Sequence, residues 1–269
     1  MKGVALIIEH ASSLALVGGT DSGGQNVYVA QLAVHLARRG FEVDVFTRRD
    51  KALARTVVEW KPGVREVHVD AGPPRFMAKE DMLPHMHEFA RNVVAFFRAQ
   101  RSRYLLVHAN FFMSGMVAQH VKQVLGIPFV ITFHALGPVR RLFQGEADRF
   151  PDCRMEIEEA LVHEADRIIA ECPQDRDDLT QLYGADERKI SIVPCGIDPA
   201  ELMPVGRAAR VELGLEESDF VVLQLGRLVP RKGVDNVIRA LALLQQVADI
   251  YASMLPTQGD EALRAGTLA

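Results

Sequence analysis

The chain has 269 residues, 48% hydrophobic and 25% charged, with a formal net charge of −4. Such a composition belongs to an ordinary folded protein of one large domain or two small ones, and a mild charge without long single-sign runs excludes a partner held mainly by nucleic-acid phosphates. Cys153, Cys172 and Cys195 show no Cys-x-x-Cys spacing, so they are expected to be unpaired, mostly buried thiols in a reducing compartment, with no zinc site.

In chain order, the apolar run 4–8 predicts a first strand. It is too short for a signal peptide or a membrane span, and a cytoplasmic location is expected. The most informative stretch follows: Gly18-Gly19-Thr20-Asp21-Ser22-Gly23-Gly24-Gln25-Asn26-Val27-Tyr28. Its glycines lead into an amphipathic segment, 27–39, that predicts a helix. A helix N-terminus exposes backbone N–H groups and the positive pole of the dipole, which suits a phosphate. Glycine lets the backbone approach such a ligand. The spacing is not Gly-x-Gly-x-x-Gly, which disfavours a dinucleotide-dependent oxidoreductase. Taken alone, the stretch also reads as a loop without a ligand.

Further strands are predicted over 42–46, 105–108, 129–132, 167–170 and 191–193, with a short pair, 56–59 and 65–69, at one edge. Helices are predicted over 81–99, 113–125, 154–164 and 173–182, and Gly40 and Gly126 are placed as C-caps. The alternation implies an α/β fold with a doubly wound, mostly parallel sheet. Ligands bind such sheets at the carboxyl ends of the strands.

The pattern changes after Pro194-Cys195-Gly196-Ile197-Asp198-Pro199. Residues 220–225 predict a fresh buried strand, followed by Gly226-Arg227-Leu228-Val229-Pro230-Arg231-Lys232-Gly233 and a helix over 234–246. This is the opening of a second α/β domain, whereas a complete one needs on the order of 100 residues. Segment 247–269 predicts no strand and only a loose helix. The expected domains are therefore 1–198, Rossmann-like, and 199–269, a linker and the start of the second domain. The chain is expected to be cut short.

Several side chains fall where chemistry is expected. Arg227 and Lys232 flank a strand-to-helix loop, where two cations can grip a diphosphate; a solvated basic turn is the alternative. His134 ends a predicted parallel strand, where it can bond a sugar hydroxyl, transfer a proton, or cap the next turn. Arg154 either faces an anion or pairs with Glu158 four residues on. His85 and His87 point to different faces and are expected at the surface. His10 and His108 also follow or end strands. No metal site is expected.

The combination resembles the retaining family 4 glycosyltransferases of GT-B fold, nearest the sucrose-phosphate synthase and mycothiol-pathway branch. The resemblance rests on Gly23-Gly24-Gln25-Asn26-Val27-Tyr28, His108-Ala109-Asn110-Phe111-Phe112-Met113-Ser114-Gly115, Thr132-Phe133-His134-Ala135-Leu136-Gly137, Val193-Pro194-Cys195-Gly196-Ile197-Asp198, and Gly226-Arg227 with Lys232-Gly233. It implies a nucleoside-diphosphate sugar as donor, bound between two Rossmann-like domains, and no cofactor or essential metal. Gly23, Gly24 and Gln25 would bind the donor, Arg227 and Lys232 its leaving diphosphate, and His134 the donor sugar. Lys79, Asn110 and Arg154 would bind a sugar or sugar-phosphate acceptor. Transfer would retain configuration. The family's second domain continues with a Glu-x7-Glu segment, and beyond Glu217 this chain has only Glu261. Weak or no transferase activity is therefore expected of the chain alone, unless a partner covers the unfinished domain. A non-catalytic remnant that binds a sugar phosphate or a protein partner is the second reading.

Overall fold

Strands buried on both faces carry near-continuous apolar runs, and the first strand of this chain does so. The computed structural model describes residues 2–10, 23–100, 104–199, 207–226 and 232–254. Gly18–Ser22 and Arg227 lie outside them. Contacts divide the chain into units 1–202 and 203–269.

The first unit holds one eight-stranded sheet in the order β3-β4-β2-β1-β5-β6-β7-β8. Its strands are β1 (Lys2–Ile7), β2 (Phe41–Arg48), β3 (Val57–Lys61), β4 (Val64–Val69), β5 (Tyr104–Asn110), β6 (Phe129–Thr132), β7 (Arg167–Ala170) and β8 (Ile190–Ile192). All neighbours run parallel except β3, which pairs antiparallel with β4. Helices α1 (Gly24–Arg38), α2 (Met86–Ala99), α3 (Phe112–Leu125), α4 (Gly137–Gln144), α5 (Cys153–Glu164) and α6 (Pro173–Tyr183) connect the strands. The doubly wound sheet expected from the alternation is thus present.

The alternation of side chains along β1 explains the layers. Ala5 and Ile7 join the large core, with Phe89, Val93 and Phe97 of α2, Val117 and Val121 of α3, and Leu161 of α5. Val4, Leu6 and Ile8 join a smaller core on the other face, with Val29 and Ala33 of α1. In the large core Phe46 meets Phe96, Phe97 and Tyr104 at centroid distances of 5.4, 5.3 and 6.0 Å. Arg65 grips Asp44 through two bonds of 2.7 and 2.6 Å, and Tyr104 donates its hydroxyl to the same carboxylate.

Several expectations change. The helix predicted from residue 81 starts at Met86, after two single 3-10 turns (Lys79–Asp81 and Leu83–His85). Pro84 has no N–H to continue the ladder and sits in the second of these turns. Helix α4 was not expected, because Gly137-Pro138 reads as a turn; proline in fact fits a first helical turn. All three cysteines are unpaired, as expected, but each is exposed rather than buried. Cys153 opens α5, Cys172 caps α6, and Cys195 lies in a loop, so none points into the sheet.

The second unit, taken by itself, holds α7 (Ala208–Glu212) and α8 (Val234–Met254) among its described residues. Residues 220–225 form no ladder there and are exposed, Phe220 at 77% and Leu225 at 88%. The expected buried strand is not formed: a strand needs a neighbour to take its N–H and C=O groups, and no described segment of this unit supplies one. Helix α8 runs eight residues past the predicted end at 246, supported by Gln245 donating to Asp249 at 2.9 Å. Leu241, Leu243 and Leu244 are exposed on it. Among the described residues no helix is long and apolar enough to cross a membrane.

Two stability outcomes follow from this packing. Phe46→Ala should cost about 3–5 kcal/mol, seen as a lower urea midpoint at unchanged slope by circular dichroism. His108, fully buried and 2.8 Å from Thr132 Oγ1, is held to about 4 by burial and by the neighbouring His134. Its folded value lies below the ordinary one, so its contribution is complete above pH 6.5 and fades as pH falls toward 4. At 1.36 kcal/mol per unit that is about 3 kcal/mol. Native protein minus His108→Gln, compared in urea melts from pH 7 to pH 4, should show that slope.

Candidate functional site

The strand order places the switch point between β1 and β5, since α1 leaves one and α3 the other. In a doubly wound sheet, ligands bind outside the carboxyl ends at this point. Polar residues in this sequence gather there. Glu9 and His10 follow β1, Asn110 closes β5, Thr132 closes β6 with His134 beyond it, and Glu171 follows β7.

Gly23 is the N-cap of α1, in extended conformation, and its N–H donates to Asn26 Oδ1 at 3.3 Å. A Cβ built on Gly23 or Gly24 would meet no atom within 4 Å. No acidic side chain stands in the first turn of α1, so the dipole of this helix end favours an anion.

Three of the expected residues are bonded together. Gln25 Nε2 donates to the backbone oxygen of Asn110 at 3.1 Å. Asn110 Oδ1 lies 3.1 Å from His134 Nε2. Asn110 is fully buried, and its Nδ2 donates to Ile7 O and His108 O at 3.3 and 3.4 Å. The ring of Tyr28 stands edge-on to His134 at 5.0 Å. Burial raises the Tyr28 hydroxyl above its ordinary value despite a bond to Thr132.

Backbone strain marks the same place. Phe111 and His134 have φ of 90° and 59°, and they are the non-glycine residues with positive φ among those described. Each such residue costs roughly 1–3 kcal/mol, and such residues concentrate at functional sites.

Arg154 takes the pairing alternative: its Nε donates to Glu158 Oε1 at 2.7 Å. The guanidinium is buried among the rings of Phe111, Phe112 and Phe150, at 4.9, 4.8 and 4.7 Å from their centroids. Nη2 donates to Ala135 O at 2.6 Å, beside His134, and Nη1 has no hydrogen-bond partner. Glu158 also accepts from Gly137 N at 2.8 Å and from the Tyr183 hydroxyl.

Lys79 opens a 3-10 turn in the β4–α2 connection. Arg48 holds that connection, donating to Pro73 O at 2.8 Å and Arg75 O at 2.6 Å. A cavity of about 630 Å³, lined by Pro73, Phe76, Met77, Asp81 and His85 among others, lies along the same segment. A second cavity, about 560 Å³, lies by the β3–β4 hairpin, away from the carboxyl ends. Lys232 precedes α8 in the second unit; its side chain is exposed and its carbonyl accepts from Gln224 at 3.2 Å. Among the described residues, no cluster of His, Cys, Asp and Glu has metal-binding geometry.

Glu171 is the site residue that sequence reasoning missed. Its Oε1 lies 3.0 Å from His134 Nδ1 and accepts from the Cys195 thiol at 3.1 Å. Burial raises its pKa, but bonding and charge from His134 and the bond from Cys195 outweigh this and leave it below the ordinary value. Burial and this carboxylate push the Cys195 thiol up to about 11. The signal was available: Glu171 follows an apolar strand as His134 does.

The comparisons with known proteins agree with this layout. The Glycosyltransferase Family 4 model matches residues 22–201. The D-inositol 3-phosphate glycosyltransferase of Actinosynnema mirum is 40% identical over 248 residues, 91% of this chain and 59% of that protein. The sucrose-phosphate synthase of Thermosynechococcus elongatus superposes with a TM-score of 0.83 at 31% identity, over 90% of this chain and 60% of its own. The Anabaena protein HepE, solved in complex with UDP-glucose, shares the fold with a TM-score of 0.64 at 18% identity, over 90% and 58% of the two chains. The chain thus spans somewhat over half the length of these relatives, with an α/β, GT-B-like architecture, and it belongs to glycosyltransferase family 4.

Proposed function

We propose that this chain is the acceptor-side part of a glycosyltransferase that moves a sugar from a nucleoside-diphosphate sugar to a sugar or sugar-phosphate acceptor. The observation that carries the reading is the bonded set Gln25–Asn110–His134 beside a glycine-capped helix end. The helix amides and dipole suit the donor diphosphate. His134 is set to bond a hydroxyl of the donor sugar. Lys79 is assigned to the acceptor, and the buried Asn110 and Arg154 hold His134 and its neighbouring backbone in place beside it. Two relatives named for a phosphorylated inositol and a phosphorylated sucrose support the same class of acceptor or product.

In this reading the C1–O bond to the leaving diphosphate breaks. The acceptor oxygen bonds C1 on the same face, and its proton passes to a leaving phosphate oxygen, so configuration is retained. Arg227 and Lys232 neutralise the departing charge, without a metal or other cofactor. The UDP-glucose complex of HepE supports a uridine nucleotide as the first donor to test.

Titration calorimetry with UDP, GDP and ADP should show one of them binding, followed by sugar transfer from the matching donor in a panel. Silence from all three at millimolar concentration would end the donor reading. Gly23→Ala should keep the melting temperature within a few degrees, because the added methyl meets no protein atom within 4 Å, yet weaken diphosphate binding about tenfold by intruding on the anion's space. Lys232→Ala should weaken it about ten- to a hundredfold, the loss of one charged hydrogen bond.

A further inference from the structure

We infer that Glu171 is a positioning residue for His134, holding the proton on Nδ1 and so fixing which edge of the ring meets a ligand. The inference rests on the glycosyltransferase reading only for what His134 then does. The argument itself is geometric. Asn110 Nδ2 faces two carbonyl oxygens, Ile7 O and His108 O, so the amide oxygen is the atom turned to His134 Nε2. An amide oxygen only accepts, and so does a carboxylate. Both ring nitrogens of His134 therefore face acceptors, 3.1 Å away at Nε2 and 3.0 Å at Nδ1.

Glu171 is itself held. Its backbone N–H donates to Asp175 Oδ2 at 2.9 Å, at the start of α6, and the Cys195 thiol donates to the same Oε1 that meets His134. Tyr28 closes the ring from the side of α1. A carboxylate behind an imidazole sets its tautomer and orientation, and the imidazole is what touches substrate.

Nitrogen-15 correlation spectra of histidine-labelled protein read this directly and need no nucleotide. In the native protein His134 Nδ1 should carry a proton. In Glu171→Leu that proton should be lost, leaving only Nε2–H directed at Asn110. Glu171→Asp should restore the native pattern, and Cys195→Ala should leave it unchanged. A native spectrum with bare Nδ1, or a Glu171→Leu spectrum identical to native, would overturn the inference. The native spectrum decides the matter even if a variant does not fold. If calorimetry finds no nucleotide while the spectra behave as expected, the transferase reading fails and the Glu171–His134 assignment stands.

Discussion

Asn110 is tied in four directions. Its amide nitrogen reaches Ile7 O and His108 O, its amide oxygen faces His134, and its backbone oxygen accepts from Gln25 at 3.1 Å. It therefore links the ends of β1, β5 and β6 to the first turn of α1. Buried amides are costly unless satisfied, so an arrangement that satisfies this one also fixes its neighbours. The first turn of α1 and the histidine are tied to this one residue, through its backbone oxygen and its side chain, and a parallel sheet gives it the opportunity by ending adjacent strands at the same level.

Around that tie, charge is confined by aromatic rings and paired carboxylates. Arg154 is sealed among three phenylalanines and answered by Glu158, which also takes the Gly137 amide and the Tyr183 hydroxyl. This network fixes the start of α4 and the backbone at Ala135, one residue from His134. On the other side, Glu9 accepts from His10 at 3.1 Å and from Ser114 of α3. This edge of the sheet is thus framed by buried polar groups with partners, which makes its shape specific.

The parallel sheet was legible because burial on both faces writes long apolar runs into 4–8, 129–132 and 167–170. The last two matched the observed strands, β6 and β7, end for end. His134 and the helix end at Gly23 were legible because position at a strand's end and glycine spacing are local signals. Other features depend on what is not local. Residues 220–225 have a strand's composition but, among the described residues, no neighbour to pair with. Cys153 and Cys172 sit at helix starts and Cys195 in a loop, which average burial tendencies do not anticipate. Whether Arg154 meets a ligand or Glu158 could not be read from an i,i+4 spacing, since the answer came from three phenylalanines brought in by the fold. Glu171 offered the same local signal as His134 and was passed over because a lone carboxylate has no motif around it.

The left-handed backbone at His134, φ 59°, has a consequence for any attempt to improve this protein. Asparagine and glycine adopt that conformation more readily than histidine. Laboratory evolution scored on heat tolerance alone would be drawn to them at this position, gaining robustness while discarding the imidazole. Thermal hardening and turnover would then compete over a single dihedral angle.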